Sequence, residues 1–104
     1  MSILKIDQTK RFTKNFSTLM ESFLENSPQF TLDILEKFDQ ILATIDRFPE
    51  IGAPRARQWY GKNVVLRDME LFVGHRQFTV RYFYNKQMNR IVLVHLWIDG
   101  QSHN

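Results

Sequence analysis

The sequence predicts an α+β fold in which an N-terminal strand is followed by an antiparallel helix hairpin, packed on a mostly antiparallel four-stranded sheet. Apolar residues recur at spacings of three and four in the first half of the chain, which indicates amphipathic helices. In the second half they alternate with polar residues, which indicates strands. Because 104 residues have room for only one hydrophobic core, we expect a single domain over residues 1–104.

The chain opens with a short strand and an amphipathic helix. Ile3, Leu4 and Ile6 form an apolar run that ends at Asp7, as expected of a short strand. A first helix is predicted over residues 9–25, because one helical face carries Phe12, Phe16, Leu19, Met20, Phe23 and Leu24. We expect this stripe to be buried in the core.

A second helix follows after a very short connection. Ser27 is a typical N-cap residue, and Pro28 is favoured in the first turn, where no backbone N–H is needed. The apolar face of this helix comprises Phe30, Ile34, Phe38, Ile41, Leu42, Ile45 and Phe48, and Pro49 and Gly52 end it. Because so few residues join the two helices, we expect an antiparallel hairpin.

The remaining strands lie in the second half of the chain. Residues 49–62 are rich in Gly, Pro and Arg and are predicted to form a loop. Strands are predicted over residues 64–73, 78–84 and 90–98, with a turn at Gly74-His75 and a hairpin loop over residues 85–89.

The last two strands have a self-consistent predicted register. Placing Tyr84 opposite Arg90 puts Val94 on a wholly apolar face, which we expect to be buried against the helices. The other face then carries Arg81 and His95 among aromatic side chains, an unusual set to leave facing water. We therefore look for function on that second face.

Composition excludes several classes of protein. The sequence has no cysteine, which excludes disulfides, thiolate metal sites and a thiol nucleophile. No apolar run approaches the ~18 residues of a membrane span, and the N-terminus lacks a signal-peptide core, so we expect a cytoplasmic protein without membrane association. Six basic and eight acidic side chains lie in residues 1–50, against eight basic and three acidic in residues 51–104. That asymmetry favours a basic face for a polyanion or an acidic partner, although a solvated surface has the same pattern.

Arg81 and His95 are the candidate catalytic residues if the protein is a nuclease. Arginine can stabilise the charge of a phosphorane, and a neutral histidine can move a proton near neutral pH. A lone histidine on a strand is nevertheless more often structural. The sequence has no phosphate-binding glycine loop, no nucleophile elbow and no paired His or Cys spacing, so we expect neither a cofactor nor a metal.

A second set of residues is a candidate surface for nucleic acid or another target. Its members are Arg55, Arg57, Trp59, Lys62, Arg67 and Arg76. Around Trp59 and Tyr60 cations are mixed with stacking surfaces, as in proteins that bind single-stranded nucleic acids. The two aromatic residues are explained equally well as side chains that pack the loop onto the sheet.

Four short segments carry a resemblance to a known family. They are Asn26-Ser27-Pro28, residues 45–54 (Ile-Asp-Arg-Phe-Pro-Glu-Ile-Gly-Ala-Pro), residues 78–82 (Phe-Thr-Val-Arg-Tyr) and residues 90–94 (Arg-Ile-Val-Leu-Val). In this order and spacing, the segments resemble the RelE/ParE toxins of type II toxin–antitoxin systems over nearly the whole chain. The Phe-Pro-Glu-Ile-Gly-Ala-Pro segment and the long helix hairpin are more similar to the ParE branch.

The resemblance implies a small growth-inhibiting toxin, of the kind found in plasmid stabilisation systems, that a co-expressed antitoxin protein neutralises. ParE-type members poison DNA gyrase, whereas RelE-type members are enzymes that cut mRNA in the ribosomal A site. A binding module that kept the toxin fold without its activity is a third possibility.

Two departures from the family pattern bear on the mechanism. Thr79 stands where the family's strand usually has Arg, and Asp99-Gly100-Gln101-Ser102 stands where many members have His-Gly-Arg-Arg. The C-terminal Tyr of RelE-type nucleases is also missing. A gyrase poison needs no acid–base residues, so we expect a ParE-like action. Ribosome-dependent mRNA cleavage is the alternative, in which Arg81 and His95 would substitute for the missing groups.

Overall fold

Two helices cover one face of a five-stranded sheet in the computed structural model, which describes residues 5–25 and 27–99. The elements are β1 (Lys5–Gln8), α1 (Lys10–Leu24), α2 (Pro28–Arg47), β2 (Ala53–Trp59), β3 (Lys62–Val73), β4 (Arg76–Asn85) and β5 (Arg90–Ile98). The strand order is β1-β5-β4-β3-β2, with β1 parallel to β5 and every other pair antiparallel. The predicted α+β fold is confirmed, with one strand more than expected. Of the predicted first strand, Ile3 and Leu4 lie outside the described residues.

Both helices begin where the sequence predicts. The Thr9 side chain accepts a hydrogen bond from the backbone N–H of Phe12 at 3.1 Å, and Ser27 accepts one from Phe30 at 3.3 Å. These caps satisfy N–H groups that have no partner within the first helical turn. Pro28 occupies the first turn of α2, as expected. Among the described residues, no helix is long and apolar enough to cross a bilayer.

The core lies between the helix hairpin and the sheet. Its largest fully buried side chains are Tyr82, Phe12, Phe78, Ile45, Ile91 and Val80. Phe16 packs against this core, but the prediction for Leu24 is wrong, because its side chain is 58% exposed. Phe23, one residue earlier, takes the core-facing position in that turn and contacts Phe30 and Phe78. Phe48 is also exposed, since α2 ends one residue before it.

The segment predicted as a loop, residues 49–62, contains strand β2, so this prediction is wrong. β2 pairs with β3 at the edge of the sheet through all of residues 53–59. Its side chains are almost all exposed, so no apolar alternation reveals it in the sequence. Pro54 is tolerated because an edge strand uses only half of its N–H groups in the sheet. Tyr60 and Gly61 both have positive φ and form the two-residue turn into β3.

The hairpin that joins β4 to β5 is shifted from its predicted register. Asn85 pairs with Arg90 and Tyr84 pairs with Ile91, whereas the prediction placed Tyr84 opposite Arg90. The Asn85 side chain accepts a hydrogen bond from the backbone N–H of Met88, so this residue closes the hairpin as part of the strand. Because side chains alternate along a strand, the shift turns Ile91 toward the helices, where it is fully buried.

A one-residue bulge in β5 then changes which residues share a face. Arg81 pairs with His95, and the next pair joins Leu93 to β4, so Val94 has no partner on β4. The prediction that Val94 faces the helices is therefore wrong, although its side chain is buried beside His95. Thr9 supports the bulge, because its N–H donates to the Leu93 carbonyl at 2.9 Å and its hydroxyl donates to the Val94 carbonyl at 3.0 Å.

Candidate functional site

The sheet face turned away from the helices, here called the open face, carries most of the candidate residues. It is defined by Arg55, Arg57 and Trp59 on β2, Asp68 and Glu70 on β3, Thr79, Arg81 and Phe83 on β4, and His95 and Trp97 on β5. Cross-strand pairing places Asp68, Arg81 and His95 in one row across three strands. Paired residues point to the same side of a sheet, so the two predicted catalytic residues are direct neighbours on this face.

Arg81 is held by an ion pair and an aromatic ring. Its Nε donates to Oδ1 of Asp68 at 2.7 Å, and its Nη2 donates to Oδ2 at 3.0 Å. The Trp97 ring lies 4.9 Å from the guanidinium carbon and covers it. Arg55 reaches the same carboxylate from β2, with 3.5 Å between its Nε and Oδ2 of Asp68. Asp68 therefore compensates the charge of two open-face arginines.

His95 is nearly enclosed. Only 6% of the residue is exposed, and its ring centroid lies 4.7 Å from that of Trp97. A general acid or base must come within hydrogen-bond reach of the group it titrates. In the described conformation, His95 offers little surface for such an approach.

The two positions that depart from the family pattern are joined in one network. The Thr79 hydroxyl lies 3.2 Å from both carboxylate oxygens of Asp99, and the indole N–H of Trp97 donates to Oδ1 of Asp99 at 3.2 Å. Residues 100–102 of the departing segment lie outside the described residues. Where the resembling pattern has an arginine, at position 79, this face has a hydroxyl bound to a carboxylate.

A cavity of about 370 Å³ lies beside the Arg81–His95 row. Its lining includes Arg11, Arg57, Trp59, Arg81 and His95. Arg11 comes from the first turn of α1 and is a residue that sequence reasoning missed. The available signal is that this turn contains basic residues but no acidic one, which is the reverse of the usual helix N-terminus.

The aromatic residues at the end of β2 differ in exposure. The Trp59 ring lies 5.3 Å from the rings of Phe83 and Tyr60, so it packs onto the open face. Tyr60 is 85% exposed at the turn. Lys62 pairs with Trp59 at the start of β3 and is exposed. The packing interpretation therefore fits Trp59, and Tyr60 and Lys62 form the accessible end of this strand pair.

Arg67 and Arg76 are not brought to the open face. Arg67 lies on the helix-facing side of β3, where its Nη1 donates to the carbonyls of Glu50 and Gly52 at 2.9 and 3.0 Å. Arg76 stacks on Phe23 of α1, with 5.2 Å between the guanidinium carbon and the ring centroid. The structure gives both arginines contacts within the protein.

The segment from Pro49 to Gly52 is fixed by Tyr82, in an arrangement here called the clasp. The Tyr82 hydroxyl donates to the Pro49 carbonyl at 2.8 Å and accepts from the Gly52 N–H at 3.0 Å. A Cβ atom on Gly52 would lie only 2.8 Å from Cβ of Arg67 and 2.9 Å from the Tyr82 ring, so no larger residue fits without movement. Burial raises the pKa of the Tyr82 hydroxyl, which favours its neutral, donating form. The clasp sets where β2, with its arginines, begins.

Comparisons with known proteins identify the fold. No family model matches the sequence, and no curated protein matches it. Among solved structures, one from the chromosomal ParDE toxin–antitoxin system of P. aeruginosa superposes with a TM-score of 0.59 at 12% identity, over 90% of this chain and 94% of that one. The chain has a RelE/ParE-type toxin fold. A metal-bound toxin from Helicobacter pylori also matches, with a TM-score of 0.49 at 23% identity, over 90% of this chain and 92% of that one.

On this RelE/ParE-type fold, the open face has two parts with different chemistry. Around Arg81, charges are paired internally, and the carboxylates of Asp68 and Asp99 accept most of the nearby donors. Around Arg57 and Arg11, the cavity is cationic. The first part is suited to holding the sheet in one conformation, and the second is suited to attracting an anionic group.

Proposed function

We propose that the protein is the toxin of a type II toxin–antitoxin system and that it inhibits growth when its antitoxin is absent. The RelE/ParE-type fold supports this proposal, as does the ParDE origin of a structure that superposes over most of its length. The Pro49–Gly52 part of one resembling segment is held in a defined position by the Tyr82 hydroxyl.

The proposed partner is an antitoxin with an acidic, amphipathic segment that folds on binding. An acidic partner would complement the basic second half of the chain. The apolar side of an amphipathic segment could cover Leu32 and Leu35, which are exposed on α2. A neighbouring gene that encodes such a protein is the expected observation. Co-expression of the two proteins should restore growth and yield a stable complex.

For the mechanism, we propose ParE-like inhibition of DNA gyrase in the cytoplasm. The observation that carries this choice is the engagement of both candidate catalytic residues: Arg81 is bound by Asp68 and covered by Trp97, and His95 is 6% exposed. Cleavage of mRNA needs a base, an acid and a group that stabilises the phosphorane. Inhibition by binding needs none of these.

The second candidate function is RelE-like cleavage of mRNA on the ribosome. The cationic cavity supports it, because Arg11, Arg57 and His95 surround a space next to Trp59. Cations beside an aromatic ring are typical of single-stranded nucleic-acid binding. In this mechanism, Arg81 and His95 would be released from their contacts when the substrate binds.

One induction experiment distinguishes the two mechanisms. The toxin is expressed without antitoxin, and gyrase-linked double-strand breaks are compared with new 3′ ends in ribosome-bound mRNA. We expect breaks, and we expect them to persist in His95→Gln. His75→Gln, at the exposed turn between β3 and β4, is the matched control. Rapid mRNA cleavage that is lost in His95→Gln and kept in His75→Gln would contradict the proposal, and neither phenotype would favour an inactive binding module.

A further inference from the structure

Asp68 occupies the position on the open face that a phosphate group would need. Its two oxygens accept hydrogen bonds from Nε and Nη2 of Arg81 at 2.7 and 3.0 Å. A guanidinium binds a carboxylate and a phosphate in this same two-point geometry. Arg55 also approaches Oδ2, at 3.5 Å. The protein thus supplies, from its own chain, the anion that a nucleic acid would offer to these arginines.

A nucleic acid would have to displace Asp68 before it reached Arg81. The side chains of Asp68 and Arg81 are only 10% and 15% exposed, so water weakens their attraction little. Once displaced, the carboxylate would remain beside the incoming phosphate and repel it. Asp99 adds a second carboxylate on the same part of the face, bound to Thr79.

Arg57 provides the contrast. Its Nη1 donates to the carbonyl of Ala56, and its side chain lines the cationic cavity with Arg11. Among the described residues, Arg55 forms an ion pair with Asp68, whereas Arg57 forms no ion pair. The charge of Arg57 is therefore available to a ligand, whereas the charge of Arg55 is already compensated.

We propose that Asp68 is a specificity-determining residue that keeps single-stranded nucleic acid off Arg55 and Arg81 of the open face. The inference rests on the proposed gyrase-directed function, which does not need an open face that binds nucleic acid. If Asp68 has this role, making its carboxylate neutral should make Arg55 and Arg81 available to phosphates.

The test measures binding of a fluorescein-labelled single-stranded oligouridine by fluorescence anisotropy, between about 50 and 200 mM salt. At the lower salt concentration, Asp68→Asn should bind about tenfold more tightly than the wild type. Each new phosphate contact on a single strand steepens the plot of log K against log salt by about 0.7, so two freed arginines should steepen it by about 1.4. Adding Arg81→Gln to Asp68→Asn should remove about half of that change.

Glu70→Gln is the matched control. It removes one negative charge from the same strand and the same face, but Glu70 does not hold the arginines that Asp68 holds. We expect a gain in affinity below about twofold, because only the long-range field changes. Equal gains in Asp68→Asn and Glu70→Gln would overturn the proposal, because net charge alone would then explain both.

A second comparison does not depend on the folding of Asp68→Asn. In the otherwise wild-type protein, Arg57→Ala should reduce the salt slope by about 0.7, and Arg55→Ala should reduce it clearly less. Both side chains lie on the exposed edge strand, so both variants should fold. Equal reductions would overturn the proposal. Failure of the proposed function appears separately, as absence of gyrase-linked breaks, because this binding assay contains neither gyrase nor ribosomes.

Discussion

The two faces of the sheet are formed by the same strands but hold their side chains in different ways. Toward the helices, Phe78, Val80 and Leu96 are buried by apolar neighbours, and no directional contact is required of them. On the open face, Arg81 and Asp68 are held by two hydrogen bonds of defined geometry. The helix-facing side therefore depends on apolar burial, whereas the open face depends on hydrogen bonds and ion pairs between polar side chains.

The largest expected effect tests the first half of this comparison. Phe78→Ala should lower the free energy of unfolding by about 3–5 kcal/mol, because a side chain that is 1% exposed is replaced by a cavity. Phe72→Ala is the matched control on the neighbouring strand, where the side chain is 56% exposed. It should cost less than about 1 kcal/mol. Urea unfolding measures both, and similar losses would show that the two faces do not differ in this way.

The same contrast explains which parts of the fold the sequence could predict. Helix periodicity, the caps at Thr9 and Ser27 and the alternation in β4 all arise from burial or from local backbone needs, and each is visible within a few residues. Strand β2 escaped prediction because its side chains are exposed on an edge. Exposure removes the apolar alternation on which the prediction of a strand depends.

The candidate site was predictable only in part. Alternation placed Arg81 and His95 on one face, and the structure makes them direct neighbours. The bulge at Val94 was not predictable, because it depends on hydrogen bonds from Thr9, which lies far away in the sequence. Arg11 reaches the cavity through the same long-range packing of α1 beside β5. Contacts of this kind leave no periodic signal in the sequence.

Tyr82 breaks the simple comparison, because it faces the helices and yet makes directional contacts through the clasp. Tyr82→Phe should lower the free energy of unfolding by about 1–3 kcal/mol at neutral pH, since the buried Gly52 N–H loses its acceptor. Tyr84→Phe, whose hydroxyl takes no part in the clasp, is the control. A loss in Tyr82→Phe no larger than in Tyr84→Phe would show that the clasp contributes little to stability.

The clasp also predicts a pH dependence. Burial, the largest cause, raises the pKa of Tyr82 above its ordinary value of about 10, and the Gly52 hydrogen bond offsets part of that rise. A raised pKa means that the stabilisation is fully present below about pH 10 and is lost as the pH rises through the pKa of the folded state. The free energy of unfolding, measured with urea from pH 8 to pH 11, should therefore fall less steeply in Tyr82→Phe than in the wild type. Parallel curves would contradict this assignment.

The smallest expected effect is the coupling free energy of an exposed Arg–Asp pair, which is compared with that of a more buried pair. Arg90 and Asp7 lie 3.3 Å apart with side chains 36% and 40% exposed, and the Arg90 Nε has no aligned hydrogen bond among the described residues. A double-mutant cycle to Ala should give a coupling of about 0.2–1 kcal/mol. The same cycle on Arg81 and Asp68, which are better aligned and more buried, should give a larger coupling, because hydrogen bonds to charged groups contribute about 1.5–3 kcal/mol.

Salt sharpens this comparison, because it acts on solvent-exposed charges. At about 1 M salt the screening length is about 3 Å, so the Arg90–Asp7 coupling should nearly disappear. The Arg81–Asp68 coupling should persist, since its side chains are mostly shielded from water and its hydrogen bonds do not depend on long-range attraction. If both couplings fell equally, the Arg81–Asp68 pair would be open to solvent ions, and a phosphate could then reach Arg81 without displacing a shielded carboxylate.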